Sequence, residues 1–360
     1  MRMEGKILRR MAILAFATAC MMGISSEPAD AAKKTTVKLG KGKIVGAKKS
    51  FSVNKKNKTV TIKKKGTYTI SGKIGAYRII VSKAKLKVTL KLKGVTATQT
   101  KYPCIYSSKS NTSVNINLVG KTTTRLKGPK HFVVAKGKKE PDGVIFSTGN
   151  LTISGQGNLF VTDVADNGKA IVSKNTVALK GGYCSASSAK IALRGKNVSL
   201  TGGTFAGRAQ DTCIKSDQKV TITGGVVTAN GVDKGIQGKG GVTITGGSVS
   251  VSATYKAGTK FEDFRGITAG VTGKNGKKAV AGSVLITGGT IRVNSYGDCI
   301  RSSRDIMITG GNFQLTSIGD DGIQAKATLT MKGKPKFSIT AKGKKVKGMV
   351  KNIAPNVKYK

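Results

Sequence analysis

Alternating apolar and polar residues recur through the second half of the chain at a nearly constant interval. Strand-like segments such as Val-Thr-Ile-Thr at 220–223 precede pairs of glycines, and segments such as Ser-Val-Ser-Val at 248–251 follow them. The first glycines of these pairs are Gly181, Gly202, Gly224, Gly246, Gly288 and Gly310. Their spacing is 21 or 22 residues, apart from one interval of 42 that contains a 20-residue insertion. Alternation with this period predicts short strands that each bury one face.

A third apolar position lies ten residues before several of the glycine pairs, at Ile171, Ile214, Ile236 and Ile300. Three short strands in about 22 residues, with glycine at one corner, are typical of one coil of a parallel β-solenoid. One coil cannot bury its Val and Ile side chains alone, so the coils must stack about 4.8 Å apart. A β-propeller is disfavoured because its blades need roughly 40 residues. The sequence therefore predicts an all-β chain folded as a parallel β-helix.

The repeat also sets the predicted domain organisation. We expect the β-helix to cover residues 51–342, with the insertion at 252–283, because weaker copies of the pattern occur near 60, 88, 114, 151 and 329. Segments rich in Lys and Gly flank it at 32–50 and 343–360. We expect these basic segments to be loose or to cap the open ends of the ladders, where unpaired strands invite association.

The first 31 residues have the features of a secretory signal peptide. A basic start is followed by an apolar stretch at 11–24 that is too short to span a membrane. The small residues at 29–31 allow cleavage before Ala32. An alternative interpretation places a lipid on Cys20. Since no second hydrophobic segment follows, we expect a secreted protein that is free or held at the cell surface by affinity.

The net charge of the chain indicates which kind of molecule it binds. The chain contains 64 Lys and Arg residues against 16 Asp and Glu, for a net charge of +48, and loss of the first 31 residues changes this little. Self-repulsion of this size opposes folding, so we interpret the charge as a means of attracting polyanions. Outside a cell these are acidic polysaccharides, anionic wall polymers or membrane surfaces. The alternative is a solvated surface that only keeps the protein soluble.

Four cysteines remain after cleavage, and their positions argue against disulfides. No two of them form a Cys-x-x-Cys pair, and the chain is not a small disulfide scaffold. Cys213 and Cys299 occupy equivalent places three coils apart, roughly 14 Å, which is beyond the reach of a disulfide. We therefore predict buried free thiols at Cys104, Cys184, Cys213 and Cys299.

Several aspartates fall at equivalent places just before the third apolar position of their coils. They are Asp211, Asp233, Asp298, Asp320 and Asp321. Stacked carboxylates about 5 Å apart repel one another unless a cation lies between them, and calcium prefers such hard oxygen ligands. The alternative is that these residues only form turns. We expect one or two calcium sites, with Asp298, Asp320 and Asp321 forming the better one.

Basic residues form a second column beside the aspartates. They are Lys174, Lys215, Lys239, Arg301, Arg304 and Lys326. A ladder of cations at the coil spacing could follow an anionic polymer that lies along the solenoid, although scattered solvated lysines would give the same pattern. In the insertion, Tyr255 and Arg265 are candidate ligand contacts, since a loop aromatic can stack on a sugar ring or, alternatively, cap the core.

The residues give little support for catalysis. His131 is the only histidine, which excludes a Ser/His/Asp triad and a histidine-rich metal centre. The acidic motifs at 297–300 and 320–321 are similar to those of polygalacturonase-type hydrolases, which need carboxylates at set separations, but the companion histidine and Arg-Ile-Lys motifs are missing. A calcium-dependent lyase would need a base such as Arg265 or Arg301. We therefore expect binding rather than catalysis, with a lyase or hydrolase as the alternative.

Particular segments resemble a known family. The strand pairs at 59–72 and 86–95, followed by the repeated Val-Thr-Ile-Thr-Gly-Gly, are similar to carbohydrate-binding β-helix proteins of clostridia, whose fold is similar to pectate lyase. The resemblance covers roughly residues 55–335. It implies a right-handed parallel β-helix, bound calcium, and non-catalytic binding of cellulose and polygalacturonate-type glycans. The Asp-Asp-Gly-Ile pattern of that family remains whole only at 320–323.

Together these features predict a secreted, non-catalytic polysaccharide-binding protein. We expect its partner to be an acidic glycan such as pectin or another anionic cell-wall polymer, because of the basic charge and the family resemblance. The alternatives are a calcium-dependent pectin lyase or hydrolase, and a wall protein that adheres by charge alone. We expect a monomer with no membrane span and no specific nucleic-acid partner.

Overall fold

The computed structural model describes residues 33–134, 136, 140–254, 264–271 and 279–359. These residues form strands and turns, with no α-helix among them. Accordingly, this part of the chain contains no helix long and apolar enough to cross a membrane. The predicted signal peptide at 1–31, with Cys20, lies outside the described residues, as does Tyr255.

The strands are short throughout. Those of the N-terminal part are β1 (Lys34–Leu39), β2 (Lys41–Ala47), β3 (Phe51–Asn54), β4 (Thr59–Ile62), β5 (Gly66–Gly75), β6 (Arg78–Val81), β7 (Lys87–Thr98), β8 (Ile105–Ser107), β9 (Ser113–Leu118), β10 (Thr123–Lys127), β11 (Gly143–Ser147) and β12 (Leu151–Gly155). The central strands are β13 (Asn158–Thr162), β14 (Lys169–Leu179), β15 (Tyr183–Ser188), β16 (Ile191–Leu200), β17 (Thr204–Ala209), β18 (Thr212–Ser216), β19 (Lys219–Ile222), β20 (Val226–Gly231), β21 (Lys234–Gly238), β22 (Gly241–Ile244) and β23 (Ser248–Ala253). The C-terminal strands are β24 (Arg265–Ala269), β25 (Ser283–Ile286), β26 (Thr290–Ser295), β27 (Ile300–Ser302), β28 (Ile306–Ile308), β29 (Asn312–Ser317), β30 (Ile323–Ala325), β31 (Thr328–Met331), β32 (Lys336–Ala341), β33 (Val346–Lys347) and β34 (Val350–Ile353).

From β5 onwards the strands pair in parallel with strands one coil away, which produces a solenoid of about 12 turns. Three ladders run along it, and each forms one face. Face A contains β10, β13, β15, β17, β20, β23, β26, β29 and β32. Face B contains β6, β8, β11, the first halves of β14 and β16, β18, β21, β24, β27, β30 and β33. Face C contains the first halves of β5 and β7, then β9, β12, the second halves of β14 and β16, β19, β22, β25, β28, β31 and β34. The predicted all-β parallel solenoid is confirmed.

The core is built from columns of identical or similar aliphatic side chains. On face C the strands register Val198, Val220, Val242, Val284 and Ile306 one above another. All five are at most 1% exposed. Alternate residues on the same strands point outward and are polar or half-buried. Because each coil supplies one layer of every column, burial is complete only when neighbouring coils are in register.

The glycine pairs are required where face C turns into face A. Gly225, the second glycine of its pair, has φ +80°, and a Cβ there would lie 2.5 Å from the carbonyl oxygen of Gly203. A Cβ on the first glycine, Gly224, would lie 2.9 Å from the carbonyl oxygen of Thr201. The pair therefore satisfies two separate requirements: a left-handed backbone and a close approach of the preceding coil.

Both basic flanking segments are ordered. At the N-terminus β1 and β2 form an antiparallel pair, and β2 continues antiparallel onto β5, so it covers the open ladder of the first coil. At the C-terminus β33 and β34 extend faces B and C in parallel. The solenoid thus reaches past the predicted boundary at 342, because Val346 and Ile353 supply the apolar positions of one more coil.

The predicted insertion at 252–283 is interrupted by a regular strand. Residues Arg265–Ala269 form β24, which pairs in parallel with β21 before it and β27 after it. Ile267 takes the place of the missing third apolar position, between Ile236 and Ile300. Arg265 is therefore a residue of face B and is 7% exposed, instead of belonging to a surface loop.

The four described cysteines are buried and free, as predicted. Burial raises the pKa of Cys104, Cys184 and Cys299 to about 12, and it raises that of Cys213 as well. These thiols behave as small apolar side chains of the core and are protonated at neutral pH.

Candidate functional site

One position on face B is occupied by charged or polar side chains at successive coils. The position after the central aliphatic residue is occupied in turn by Arg194, Lys215, Gln237, Thr268, Arg301, Gln324 and Lys347, each in register with the next. Lys215 and Arg301, both predicted ligand contacts, thus share one column. Because Gln237 and Thr268 lie between them, the cations of this column do not follow one another at successive coils.

A cleft of about 820 Å³ opens on face B beside the first cations of this column. Its floor comes from β14, β16 and β18, whose Lys169, Arg194 and Lys215 line it, and Lys169 is itself buried. Its wall comes from the chain between β10 and β11, where the described residues include His131, Phe132 and Glu140. The backbone N–H of Lys169 donates to the carbonyl of Asp142 (2.8 Å), which holds the end of this wall against the floor.

Cations outnumber carboxylates in the cleft. The cationic lining residues are Lys130, Lys169, Lys190, Arg194, Lys215 and Lys239, and the acidic ones are Glu140, Asp142 and Asp166. Lys169 forms an ion pair with Asp142, and Lys174, just outside the lining, pairs with Glu140 at 2.8 Å. The remaining positive charge has no carboxylate partner in the wall, so the cleft is suited to an anionic ligand.

Lys215 lies at the centre of this positive charge. Asp217 accepts hydrogen bonds from Arg194 (2.9 Å) and from Lys239 (2.7 Å), so one carboxylate serves both cations. Burial acts to raise the pKa of Asp217, but these two bonds outweigh it and hold the pKa below its usual range. Lys215 itself forms no salt bridge with any described residue. Burial lowers the pKa of Lys215. The positive charges of Lys234, Lys239 and Arg194 lower it further, while the negative charge of Asp211 acts to raise it.

The predicted calcium ligands of the C-terminal coils do come together. Asp298, Asp320 and Asp321 place carboxylate oxygens within 4.8 Å of one another, at the end of face B away from the cleft. Cations also reach them: Arg301 donates to Asp298 (2.8 Å), and Lys347 lies 3.1 Å from Asp321. The salt bridges of this cluster to the described residues are made by Asp298 and Asp321, and none is made by Asp320. Burial raises the pKa of Asp298 to about 6, with Arg301 opposing and Asp320 reinforcing the shift.

Two buried oxygen atoms in this cluster lack a hydrogen-bond donor among the described residues. They are Oδ1 of Asp298 and Oε1 of Gln324, on side chains that are 0% and 3% exposed. Gln324 uses its amide N–H to donate to Asp321 (2.7 Å), which leaves its oxygen free. Buried acceptors without donors are costly, and a hard cation is one group that would satisfy them. The donor set therefore fits calcium, although the neighbouring cations offset much of its negative charge.

The other predicted metal ligands have local partners. The hydroxyl of Thr212 donates to Asp211 (2.7 Å), and Asp233 binds Lys234 through both carboxylate oxygens (2.7 Å). The backbone N–H of Asp233 also donates to the carbonyl of Asp211 (3.1 Å). Within the described residues neither joins a group of three acidic side chains, and their contacts are those of turn residues.

The remaining predicted contacts are dispersed. Arg304 pairs with Asp305 (3.1 Å) in an exposed position. Lys326 is exposed, and its pKa is lowered by partial burial and by Arg301 and Lys347. Arg265 lies 3.8 Å from Asp298 and so belongs to the acidic cluster. Of the predicted contacts only Lys215 and Lys239 line the cleft.

Arg194, Asp217 and the wall of the cleft were not among the features predicted from the sequence. Arg194 follows Leu193, which stands in the column of third apolar positions, and this register was the available signal. For the wall, the only signal in the sequence was the length of the segment. Fifteen residues separate β10 from β11, whereas most turns of the solenoid are short.

Comparison with known proteins identifies the family. The family model for carbohydrate-binding domain-containing proteins matches residues 56–320, and the chain therefore belongs to this family. The predicted resemblance to carbohydrate-binding β-helix proteins is thereby confirmed. The solved structure of a polysaccharide lyase-like protein from C. thermocellum, a gadolinium derivative, is 24% identical, covering 88% of this chain and 94% of that chain with a TM-score of 0.43. No curated protein matches the chain.

Proposed function

We propose that this member of the carbohydrate-binding domain-containing family is a secreted, non-catalytic protein that binds an acidic polysaccharide in the cleft of face B. The observation that carries the proposal is the excess of cations lining the cleft, with Lys215 unpaired at its centre. A polyuronate presents one carboxylate per sugar residue, and it would give Lys215 the salt-bridge partner that the described residues do not provide, since Asp211 acts on Lys215 only through its charge. The net charge of +48 would attract such a polymer from a distance.

The floor of the cleft is suited to a polymer because it repeats. Arg194 and Lys215 occupy the same position on neighbouring coils, about 4.8 Å apart along the solenoid. Lys239, after the next strand of face B, extends the positive charge by a further coil. A ligand with regularly spaced carboxylates can contact successive coils, whereas a single small anion would contact one or two of these cations.

We also propose a calcium ion at the cluster of Asp298, Asp320 and Asp321, with Gln324 contributing its free oxygen. Bound there, calcium would supply positive charge between carboxylates of adjacent coils and so stabilise the C-terminal end of face B. The cluster and the cleft lie at different positions along the same face. Binding of glycan in the cleft does not depend on this ion.

Retention on immobilised polygalacturonate tests the function directly. The electrostatic screening length falls from about 10 Å at 0.1 M salt to about 3 Å at 1 M. We therefore expect strong retention at the lower salt concentration and loss of retention at the higher one. Lys215→Gln should weaken binding about fivefold, near 1 kcal/mol for one partly buried ion pair. Lys180→Gln is the matched control, because Lys180 is exposed at a corner of a neighbouring coil and does not line the cleft.

Two results would contradict the proposal. Equal losses for Lys215→Gln and Lys180→Gln, with similar retention on heparin, would indicate adhesion by overall charge without a site. Absorbance from unsaturated uronate products during incubation with polygalacturonate would show lyase activity and so exclude a purely binding function.

A further inference from the structure

A buried ion pair joins the wall of the cleft to its floor. Lys169, at the start of β14, is 5% exposed and pairs with the carboxylate of Asp142, which lies just before β11. The backbone adds a second link, since the N–H of Lys169 donates to the carbonyl oxygen of Asp142 (2.8 Å). Gly143, the next residue, is the register partner of Lys169 on the preceding coil. The ammonium and the carboxylate are therefore held in contact by the adjoining ends of two paired strands.

The carboxylate of Asp142 is poorly stabilised as an ion. Its Oδ2 contacts Nζ of Lys169, but its Oδ1 is buried and receives no hydrogen bond from the described residues. An ion pair that is taken out of water needs further hydrogen bonds to offset the loss of hydration. The carboxyl of Asp163 lies beside Gly168, the residue before Lys169. Burial raises the pKa of Asp163 against its hydrogen bonds, and the charge of Asp142 adds to the rise. The surroundings of the pair thus favour neutral groups over charged ones.

We propose that Lys169 and Asp142 condense into an intramolecular amide, which fastens the wall of the cleft to its floor. Transfer of one proton within the pair gives an amine and a carboxylic acid, both neutral. The lone pair of Nζ of Lys169 attacks Cγ of Asp142 and forms an N–C bond. A C–O bond of the carboxyl group breaks, and the hydroxyl leaves as water with one proton of the amine. No group is oxidised or reduced, and no co-reactant is needed.

The site meets the conditions that this reaction requires. The reacting groups are already in contact, so no bimolecular encounter is needed. Both residues line the cleft, through which the released water can leave. The product replaces an ammonium and an incompletely hydrogen-bonded carboxylate with one neutral amide, which costs less to bury. Since one cation and one anion disappear together, the cleft keeps its excess of positive charge.

A second ion pair between the same two segments provides an internal comparison. Lys174 of β14 pairs with Glu140 at 2.8 Å, and their side chains are 42% and 32% exposed. Water hydrates both of these ions, so we expect this pair to remain a salt bridge. The cross-link requires neither a glycan nor calcium, and it can therefore succeed or fail independently of the proposed function.

Tryptic mapping of the full chain, folded first and then denatured, tests for the cross-link. No Lys or Arg lies between Glu140 and Lys169, so an unmodified chain releases residues 140–169 as one linear peptide. An amide on Nζ of Lys169 blocks cleavage at that residue. We expect residues 140–174 instead, lighter than the linear peptide of that sequence by the mass of one water molecule. Chymotrypsin should cut this ring after Phe146 and Phe160 and leave its two ends joined.

Two variants locate the bond. Lys169→Arg keeps a cation beside Asp142 but cannot form this amide, so it should release the linear peptide 140–169 at full mass. Lys174→Arg is the matched control, because it changes the exposed pair of the same segments, and it should keep the cross-link and the loss of water.

Two results would refute the cross-link. One is the release of residues 140–169 at full mass from folded wild-type protein, which would leave Lys169 and Asp142 as an ordinary buried salt bridge. The other is a loss of water with normal cleavage after Lys169, which would indicate a succinimide at Asp142-Gly143 and would persist in Lys169→Arg. The wild-type digest distinguishes all of these outcomes, so a variant that fails to fold leaves the test intact.

Discussion

Calcium should raise the melting temperature of this protein, and substitution of Asp320 should remove the increase. Asp320 is the one carboxylate of the cluster without a salt bridge to a described residue, so its charge is available to a bound ion. Asp320→Asn removes that charge and keeps the size of the side chain. Gln324→Leu removes the other free oxygen that we assign to the ion.

The size of the effect follows from mass action. Three carboxylates face three nearby cations, Arg265, Arg301 and Lys347, so we expect an affinity in the weak range of extracellular calcium modules, about 10⁻⁴ to 10⁻³ M. At about 10 mM calcium the native state then gains roughly 1.4 to 2.7 kcal/mol. With an unfolding entropy of about 2 cal/mol/K per residue over roughly 300 residues, the melting temperature rises by about 2 to 4 °C. A smaller cooperative unit at the C-terminal end would shift by more.

Differential scanning calorimetry in 10 mM calcium and in EDTA measures this shift. Asp305→Asn is the matched control, because Asp305 is a carboxylate of the same coils that pairs with Arg304 outside the cluster. It should keep the full calcium increment, whereas Asp320→Asn and Gln324→Leu should each lose most of it. A wild-type melting curve that is the same in calcium and in EDTA would refute the reasoning and leave these aspartates as turn residues paired with Arg and Lys.

Three further predictions concern the fold. Burial raises the pKa of Asp163 above its usual 3.8, so folding favours the protonated form of this side chain. The protonated carboxyl therefore does not disfavour folding below pH 3.8, whereas the ionised carboxylate destabilises the protein once the pH has risen through the folded-state pKa. Asp163→Asn should consequently raise the melting temperature at pH 7 but not at pH 3. Gly225→Ala should cost at least about 2 kcal/mol in chemical denaturation, because φ is +80° and the preceding coil is 2.5 Å from the new Cβ, while Gly120→Ala, with its nearest contact at 3.5 Å, should cost far less. The four described thiols should resist Ellman's reagent in the native protein and react after denaturation, and rapid native reaction would contradict their burial.

The solenoid could be predicted because its stabilising contacts repeat in the sequence. Each coil places Val or Ile at the same offset from a glycine pair, so the column of Val220, Val242 and Val284 can be aligned by counting. Because the coils stack in parallel, residues at the same position in successive repeats lie one above another in the structure. Where an outer segment breaks the period, as between β23 and β25, counting marks all of 252–283 as insertion and overlooks Ile267.

The sites depend on contacts that do not repeat, and these could be predicted only in part. The acidic cluster followed from the coil spacing of Asp298 and Asp320, but two of its cations come from places where the period is lost: Arg265 from the predicted insertion and Lys347 from the predicted tail. The cleft needs the fifteen-residue segment between β10 and β11, whose sequence does not follow the repeat. Lys215 could be named from the sequence, yet the absence of a salt bridge to it among the described residues is a property of the folded surroundings.

The missing salt bridge leads to a prediction that separates the effect of Lys215 on ligand binding from its effect on stability. In the folded protein Lys215 is partly buried beside Arg194, Lys234 and Lys239, and its lowered pKa means that folding disfavours the protonated form. At neutral pH the ammonium group therefore destabilises the free protein, and this cost disappears only as the pH approaches the usual lysine pKa of 10.5.

Lys215→Gln should consequently raise the melting temperature of the free protein at pH 7 while it weakens retention on polygalacturonate. The gain should shrink as the pH rises towards 10.5, because the lowered pKa makes folded Lys215 lose its charge before the unfolded chain does, and polygalacturonate should stabilise the wild type more than the variant. Lys180→Gln, which removes an equal charge from an exposed corner, should change neither quantity appreciably. A destabilised Lys215→Gln protein that retains full affinity would show that Lys215 serves the fold, and the cleft would lose its central binding residue. Opposite changes in stability and affinity are expected when a protein keeps a charge unpaired for its ligand.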